Sequence, residues 1–122
     1  MKKWILAAII VLVALVGLVV WDKNRPGELD AFAQCLTDKG VTYYGAFWCP
    51  NCQKQNEIFG RSKRYIPYVE CSTPDGKSQV EQCRNANITA YPTWEFEGGE
   101  RLTGVQPLET LAEKTGCELR VN

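Results

Sequence analysis

Cys49, Pro50, Asn51 and Cys52 set two thiols two residues apart, directly after the run Val41 to Trp48 and at the head of a helix-compatible segment. Thiols at that spacing can close into a disulfide, and a helix N-terminus stabilises the anionic form of the outer one. The chemistry on offer is thiol-disulfide exchange. The same spacing serves zinc ribbons, but strand, C-x-x-C and helix in succession is the redox context. Trp48 and Pro50 around the pair, and Tyr91-Pro92-Thr93 downstream, strengthen the signal. Histidine is absent, which removes His-based acid-base catalysis, His-dependent nucleophile triads and most catalytic zinc sites. Cysteine must carry the chemistry, and the chain has six.

The N-terminus indicates where that chemistry takes place. From Trp4 to Trp21 the chain is uncharged and almost wholly apolar; as a helix it would span about 27 Å, close to a bilayer core. Lys2 and Lys3 precede it and Trp4 and Trp21 sit where interfacial aromatics belong, so the N-terminus is expected in the cytoplasm and the remainder outside it. A cleaved signal peptide is the alternative, but Ala31-Phe32-Ala33, the only cleavage-like match, is too distant from the apolar run. The expected organisation is a membrane anchor at 1–21, a linker at 22–27 containing Pro26-Gly27, and one domain at 28–122. An even number of cysteines in an exported domain suggests a paired framework beside a reactive couple.

Of the 14 Lys and Arg, only Lys2 and Lys3 precede the apolar run, leaving 12 against 14 Asp and Glu without long runs of either sign. Nucleic-acid binding is unsupported. Leu29, Phe32, Ala33 and Leu36 form one face of a helix that Gly40 can end. Val41 to Phe47 reads as a buried strand and Pro50 as the first turn of the next helix, interrupted at Gly60. Tyr65 to Cys71 is the second strand. After a turn at Thr73-Pro74-Asp75-Gly76, Ser78 and Glu81 have capping-box spacing for a short helix to about Ala86. Trp94 to Phe96 and Arg101 to Val105 read as a hairpin turning at Gly98-Gly99, and a last helix runs from Pro107 to Gly116 with Leu108, Leu111 and Ala112 on one face. The order is α-β-α-β-α-β-β-α.

That order, with Trp48-Cys49-Pro50-Asn51-Cys52 and Ala90-Tyr91-Pro92-Thr93, resembles the thioredoxin superfamily across residues 28 to 117. A narrower likeness joins three stretches: Gly45 to Cys52, Pro67-Tyr68-Val69-Glu70-Cys71, and Tyr91-Pro92-Thr93-Trp94-Glu95. Together they resemble the thioredoxin-like domain associated with bacterial homologues of vitamin K epoxide reductase. The resemblance implies an α/β fold, a central mixed sheet flanked by helices, here behind a single transmembrane helix. It implies a membrane-anchored extracytoplasmic thiol-disulfide oxidoreductase acting on exported cysteine-containing proteins. Its electrons would pass to a vitamin K epoxide reductase-like membrane oxidase, carried by a separate polypeptide. No cofactor beyond the redox-active disulfide is implied; quinone enters only through that partner.

By the same resemblance Cys49 is the exposed nucleophile and Cys52 the resolving thiol, while Trp48, Pro50, Tyr91 and Pro92 line the substrate site, with Tyr91-Pro92 a cis bond. Cys71 and Cys83 match a second cysteine pair of the narrower family, and a bridge there would contribute on the order of 3 kcal/mol. The alternative is a second exchange couple. Parity pairs Cys35 with Cys117, yet the first and last helices of this order usually cover opposite sheet faces, so two buried free thiols stay equally open. One departure stands out: the buried Asp that thioredoxins carry six residues before the first cysteine is Tyr43 here. Glu70 is the nearest carboxylate, read as a surface group on a strand. Oxidase, reductase and isomerase directions are open, with compartment favouring oxidase. Two other classes compete: a four-cysteine zinc module using Cys49, Cys52, Cys71 and Cys83, and a redox-silent binding module.

Overall fold

A computed structural model describes residues 1–120 of the chain; residues 121 and 122, the end of the expected 28–122 domain, lie outside the described residues. The first helix, α1 (Lys2–Lys23), buries none of its residues. A helix apolar on every side has no face to turn to water, and this one is long and apolar enough to cross a membrane. It continues past Trp21, so Asp22 lies on its last turn. There Arg61 Nη2 stands 3.2 Å from Asp22 Oδ1, and the Arg25 guanidinium lies 4.0 Å over the Trp21 ring.

Beyond α1 the chain runs α2 (Asp30–Asp38), β1 (Thr42–Gly45), α3 (Pro50–Phe59), a 3-10 turn (Gly60–Tyr65), β2 (Tyr68–Glu70), α4 (Glu81–Asn85), β3 (Thr93–Glu95), β4 (Arg101–Thr103) and α5 (Leu108–Thr115). Gly60, at φ +56°, interrupts the third helix as its position suggests. The strands form one mixed sheet in the order β2-β1-β3-β4, with β1 parallel to β2 and antiparallel to β3. This is the expected mixed α/β architecture.

Register decides which side chains meet. Tyr68, Tyr43, Trp94 and Leu102 are neighbours across the four strands and therefore project to one face. Trp94 and Tyr43, both fully buried, stack there with ring centroids 4.4 Å apart, beside Phe32 and Leu36 of α2, Phe59 of α3 and Leu111 of α5. Val69, Tyr44 and Thr93 form the next row, on the opposite face, where Tyr44 packs with Cys71, Cys83 and Ile88. Burying each large apolar side chain contributes about 1.5–3 kcal/mol, so the two faces are unequal and the face carrying α2, α3 and α5 dominates.

Two local expectations are corrected. The capping box does not form: α4 begins behind Val80 with no side-chain cap. Ser78 is held by the preceding turn, its N–H donated to Thr73 Oγ1 at 3.1 Å and its carbonyl accepting the Thr73 N–H at 2.9 Å. Second, the first and last helices of the domain share one sheet face rather than opposite ones, because Leu36 and Leu111 bury against the same Tyr43–Trp94 stack. That brings Cys35 and Cys117 to a Cα separation of 5.9 Å, and they are joined as a disulfide.

This bridge spans 82 residues of sequence, so in the loop-entropy account it restricts the unfolded chain more than a short one would. Replacing Cys35 and Cys117 together with Ala should destabilise the oxidised protein by on the order of 4 kcal/mol. Urea unfolding of the full chain in detergent measures it; a loss no larger than that of a typical surface substitution would contradict the bridge.

Candidate active site

β1 ends at Gly45, and the chain turns through Ala46, Phe47 and Trp48 into the N-cap of α3, which is Cys49 itself (φ −77°, ψ 122°). The Cys49 N–H closes that turn on the Ala46 carbonyl at 3.0 Å. Pro50 occupies the first helical position and is exposed, a place where its missing N–H leaves no helical bond unmade. Cys52 then lies one turn inside the helix. Both thiols are free. Cys52 is 2% exposed and Cys49 only 7%, which corrects the expectation of an exposed Cys49. The cover is the Tyr91 segment, whose carbonyl accepts the Cys49 thiol at 3.7 Å.

Tyr91-Pro92 is a cis peptide bond, with Pro92 buried and Tyr91 half-buried beside the cysteines. The mixed sheet, its flanking helices and this cis-proline segment have the arrangement that the sequence resemblance implies. The cis-proline segment is pinned on both sides: the Pro92 carbonyl accepts the Gly104 N–H at 2.8 Å, and Thr93 Oγ1 donates to the Ala90 carbonyl at 2.7 Å. Trp48, about half exposed, meets the Tyr91 ring edge-on at 6.0 Å. Trp48, Cys49, Pro50, Cys52, Tyr91 and Pro92 thus gather at one end of the sheet, whereas Trp94 belongs to the core.

No family model matches the chain. Over 94 residues, 73% of its length, it is 40% identical to the thiol-disulfide oxidoreductase LTO1 of Arabidopsis thaliana. The chain spans about a quarter of that curated relative, 24% of its length. Among solved structures, thioredoxin O2 of Arabidopsis thaliana in its oxidised state is similar at 18% identity, over 71% of this chain and 87% of that one, with a TM-score of 0.38.

Cys71 and Cys83 are joined as a disulfide that closes a loop of sequence separation 12. Joined to each other, they leave the four-thiolate zinc set without two of its ligands, and among the described residues no cluster of His, Cys, Asp or Glu is placed to hold a metal. The closed loop reaches the site through residues the sequence did not single out. Ser72 Oγ accepts Trp48 Nε1–H at 2.9 Å, and Gln79 Nε2 donates to the Tyr91 hydroxyl at 2.7 Å and to the Ile88 carbonyl at 2.8 Å. Gly76, at φ +73°, sets the loop backbone against the Trp48 and Phe47 rings. A Ser and a Gln in a turn-rich stretch carry no sequence signal for such contacts, since both types are common in exposed turns.

Burial is the main cause that pushes the Cys52 thiol up to about 11; the hydrogen bond from the Ala46 backbone opposes it, and the neighbouring Cys49 adds to it. Tyr43, in the place of the thioredoxin Asp, points its hydroxyl at the Cys52 carbonyl (3.3 Å) and Asn56 Oδ1 (3.4 Å). Burial and then the Cys52 charge raise its own ionisation far above the ordinary phenol value, so it stays a neutral donor. Glu70 is at the surface, as expected of a carboxylate on this strand, but it is half-buried and bonded through both oxygens. Its Oε1 accepts the N–H of Phe47 at 3.1 Å and of Ser72 at 3.2 Å, and Oε2 accepts the Tyr68 hydroxyl. It lies on the α3 face because it is two residues beyond Tyr68 on the same strand.

The Cys52 shift has a stability consequence with a definite sign. Its folded value lies above its ordinary 9.0, so the folded state holds a proton that the unfolded state releases first, and the stabilisation is complete below about pH 9 and is lost as pH rises through about 11. The reduced protein should therefore lose melting temperature over that window more steeply than its Cys52→Ser variant. Parallel curves for the two, measured by thermal melts at each pH, would contradict the assignment.

Proposed function

We propose that this chain is a membrane-anchored, extracytoplasmic thiol-disulfide oxidoreductase that exchanges disulfides with exported cysteine-containing proteins through Cys49 and Cys52. One observation carries the reading: the cysteines left free are the pair at the strand-to-helix junction, facing the cis-proline segment, while Cys35–Cys117 and Cys71–Cys83 are closed. The 40% identity to a relative named as a thiol-disulfide oxidoreductase supports it. Residues 1–21 act as the anchor, 22–27 as the linker and 28–122 as the redox domain, a division supported by the unburied apolar α1. Two closed disulfides favour an oxidising compartment.

In the oxidising direction a substrate thiolate attacks Cys49 of the Cys49–Cys52 disulfide, and Cys52 leaves as a thiolate that takes up a proton. A second substrate thiolate then attacks the substrate sulfur bonded to Cys49, the substrate disulfide forms, and Cys49 leaves with the electron pair. The substrate is oxidised by two electrons and the cysteine pair reduced. Trp48, Pro50, Tyr91 and Pro92 line the place where the substrate segment lies. Cys71–Cys83 is structural, holding Ser72 against Trp48 and Gln79 against Tyr91. The couple itself is the redox carrier. A quinone-linked, vitamin K epoxide reductase-like membrane oxidase reoxidises it, so quinone is met only by that partner. The partner rests on the sequence resemblance alone. The competing reductase or isomerase direction is decided by the reduction potential of the couple, because exchange runs toward the more oxidising pair.

Cys49→Ser should abolish exchange, whereas Cys52→Ser should accumulate mixed disulfides on Cys49, seen as thiol-sensitive adducts on non-reducing gels and located by mass mapping. Adducts on Cys52 in the Cys49→Ser protein would reverse the two roles. Full activity of the Cys49→Ser, Cys52→Ser double variant would leave only the redox-silent binding module.

A further inference from the structure

The exchange reading requires Cys52, buried and ordinarily protonated, to lose and regain a proton on every cycle, and its thiol has little direct access to water. Two phenols face it. Tyr43 is fully buried, and its hydroxyl bonds the Cys52 side chain, the Cys52 carbonyl and Asn56 Oδ1; none of these is a carboxylate that could take a proton onward. Tyr68 differs. Its hydroxyl and the Cys52 sulfur stand 3.4 and 3.1 Å from one point, the position a Cβ would take at Gly45. The absence of a side chain at Gly45 is what lets phenol and thiol share that space. Tyr68 donates its proton to Glu70 Oε2, so an oxygen lone pair is left for the thiol side. Glu70 is held in place by the N–H groups of Phe47 and Ser72 on its other oxygen. Tyr68 is 39% exposed and Glu70 half-buried, which gives the proton an exit to solvent.

We propose that Tyr68 and Glu70 are the proton relay of the buried Cys52 thiol, Tyr68 receiving the thiol proton as it passes its own to the Glu70 carboxylate. This rests on the exchange reading. In the resolving step the Cys52 proton moves to Tyr68 and the phenol proton to Glu70, while the Cys52 sulfur attacks Cys49 of the mixed disulfide. The bond between Cys49 and the substrate sulfur breaks, and the substrate leaves as a thiolate with the electron pair. The cysteine pair is oxidised, the substrate reduced, and Glu70 releases its proton to water. In the oxidising direction the same path runs backwards and protonates Cys52 as it leaves. The ionisable groups around Cys52 are Cys49 at the head of α3, Tyr43 on β1, which bonds its side chain, and Tyr68 on β2; of the two phenols only Tyr68 is hydrogen-bonded to a carboxylate, that of Glu70.

The test uses the full reduced chain in detergent with oxidised glutathione as the disulfide, quenched flow and mass analysis separating mixed-disulfide formation at Cys49 from its resolution by Cys52. Tyr68→Phe keeps the ring, and Glu70→Gln keeps the shape and can still accept the Phe47 and Ser72 N–H groups. Formation should be unchanged in both. Resolution should slow by about a hundredfold near neutral pH, the range of a lost general base, and the gap should close toward pH 11, where the Cys52 thiolate forms unaided. A structural role would slow resolution by the same factor at every pH, and either that result or normal resolution in Tyr68→Phe overturns the relay. Should Glu70→Gln fail to fold, Tyr68→Phe alone carries the test. A wild-type chain that forms no mixed disulfide at Cys49 overturns the exchange reading itself, whereas normal exchange with pH-independent variants overturns the relay alone.

Discussion

Tyr43 stacks on Trp94 across the central strands β1 and β3, with centroids 4.4 Å apart and planes within 14°, and the reactive end of the molecule is positioned from that pair. The stack seats α2, α3 and α5 on one face through Leu36, Phe59 and Leu111. It also fixes Gln55 of α3, fully buried, whose Oε1 accepts Trp94 Nε1–H at 3.2 Å and the Gln106 N–H at 2.7 Å while its Nε2 donates to the Gln106 carbonyl at 3.0 Å. An amide so buried must have its bonds made, and these three tie the C-x-x-C helix to β3 and to the entry of α5. The head of α3, with Cys49 and Cys52, is then aimed by the core rather than by the turn that precedes it.

The closed disulfides divide the remaining work by sheet face. Cys35–Cys117 lies with the larger core and joins segments far apart in sequence, where the restriction on the unfolded chain is greatest. Cys71–Cys83 lies on the other face, in the small cluster with Tyr44 and Ile88. That cluster alone buries little apolar surface, so a covalent closure substitutes for the packing a longer helix would provide. Its loop is further stiffened by Asp75, which accepts Thr73 Oγ1–H at 2.6 Å and the Lys77 N–H at 3.1 Å. A stiff loop holds Ser72 on Trp48 and Gln79 on Tyr91 with little further loss of entropy.

Much of this was legible in the sequence. Helix α2 follows from Leu29, Phe32, Ala33 and Leu36, and α5 from Leu108, Leu111 and Ala112, because a 3.6-residue period is a local property. The hairpin at Gly98-Gly99 and the break at Gly60 follow from residues that tolerate positive φ. The Ser78–Glu81 box failed because it is equally local, and the Thr73 turn claimed Ser78 first. The bonds of Glu70 are hidden from the sequence for a different reason. With strand β2 only Tyr68–Glu70 long, its type says surface, while its period-two relation to Tyr68 says the face of α3.

The sequence by itself determined the apolar first helix, the element order, and the pair of thiols at a strand-to-helix junction, since each depends on residues within a few positions of one another. Only the tertiary structure decided that Cys35 joins Cys117, that Cys49 is covered by the Tyr91 segment, that Ser72 and Gln79 hold Trp48 and Tyr91, and that Tyr68, bonded to Glu70, comes up beside Cys52. Those contacts join positions distant in the chain. They exist because the sheet register and the Tyr43–Trp94 stack fix which faces meet, and no spacing rule along the chain encodes that choice.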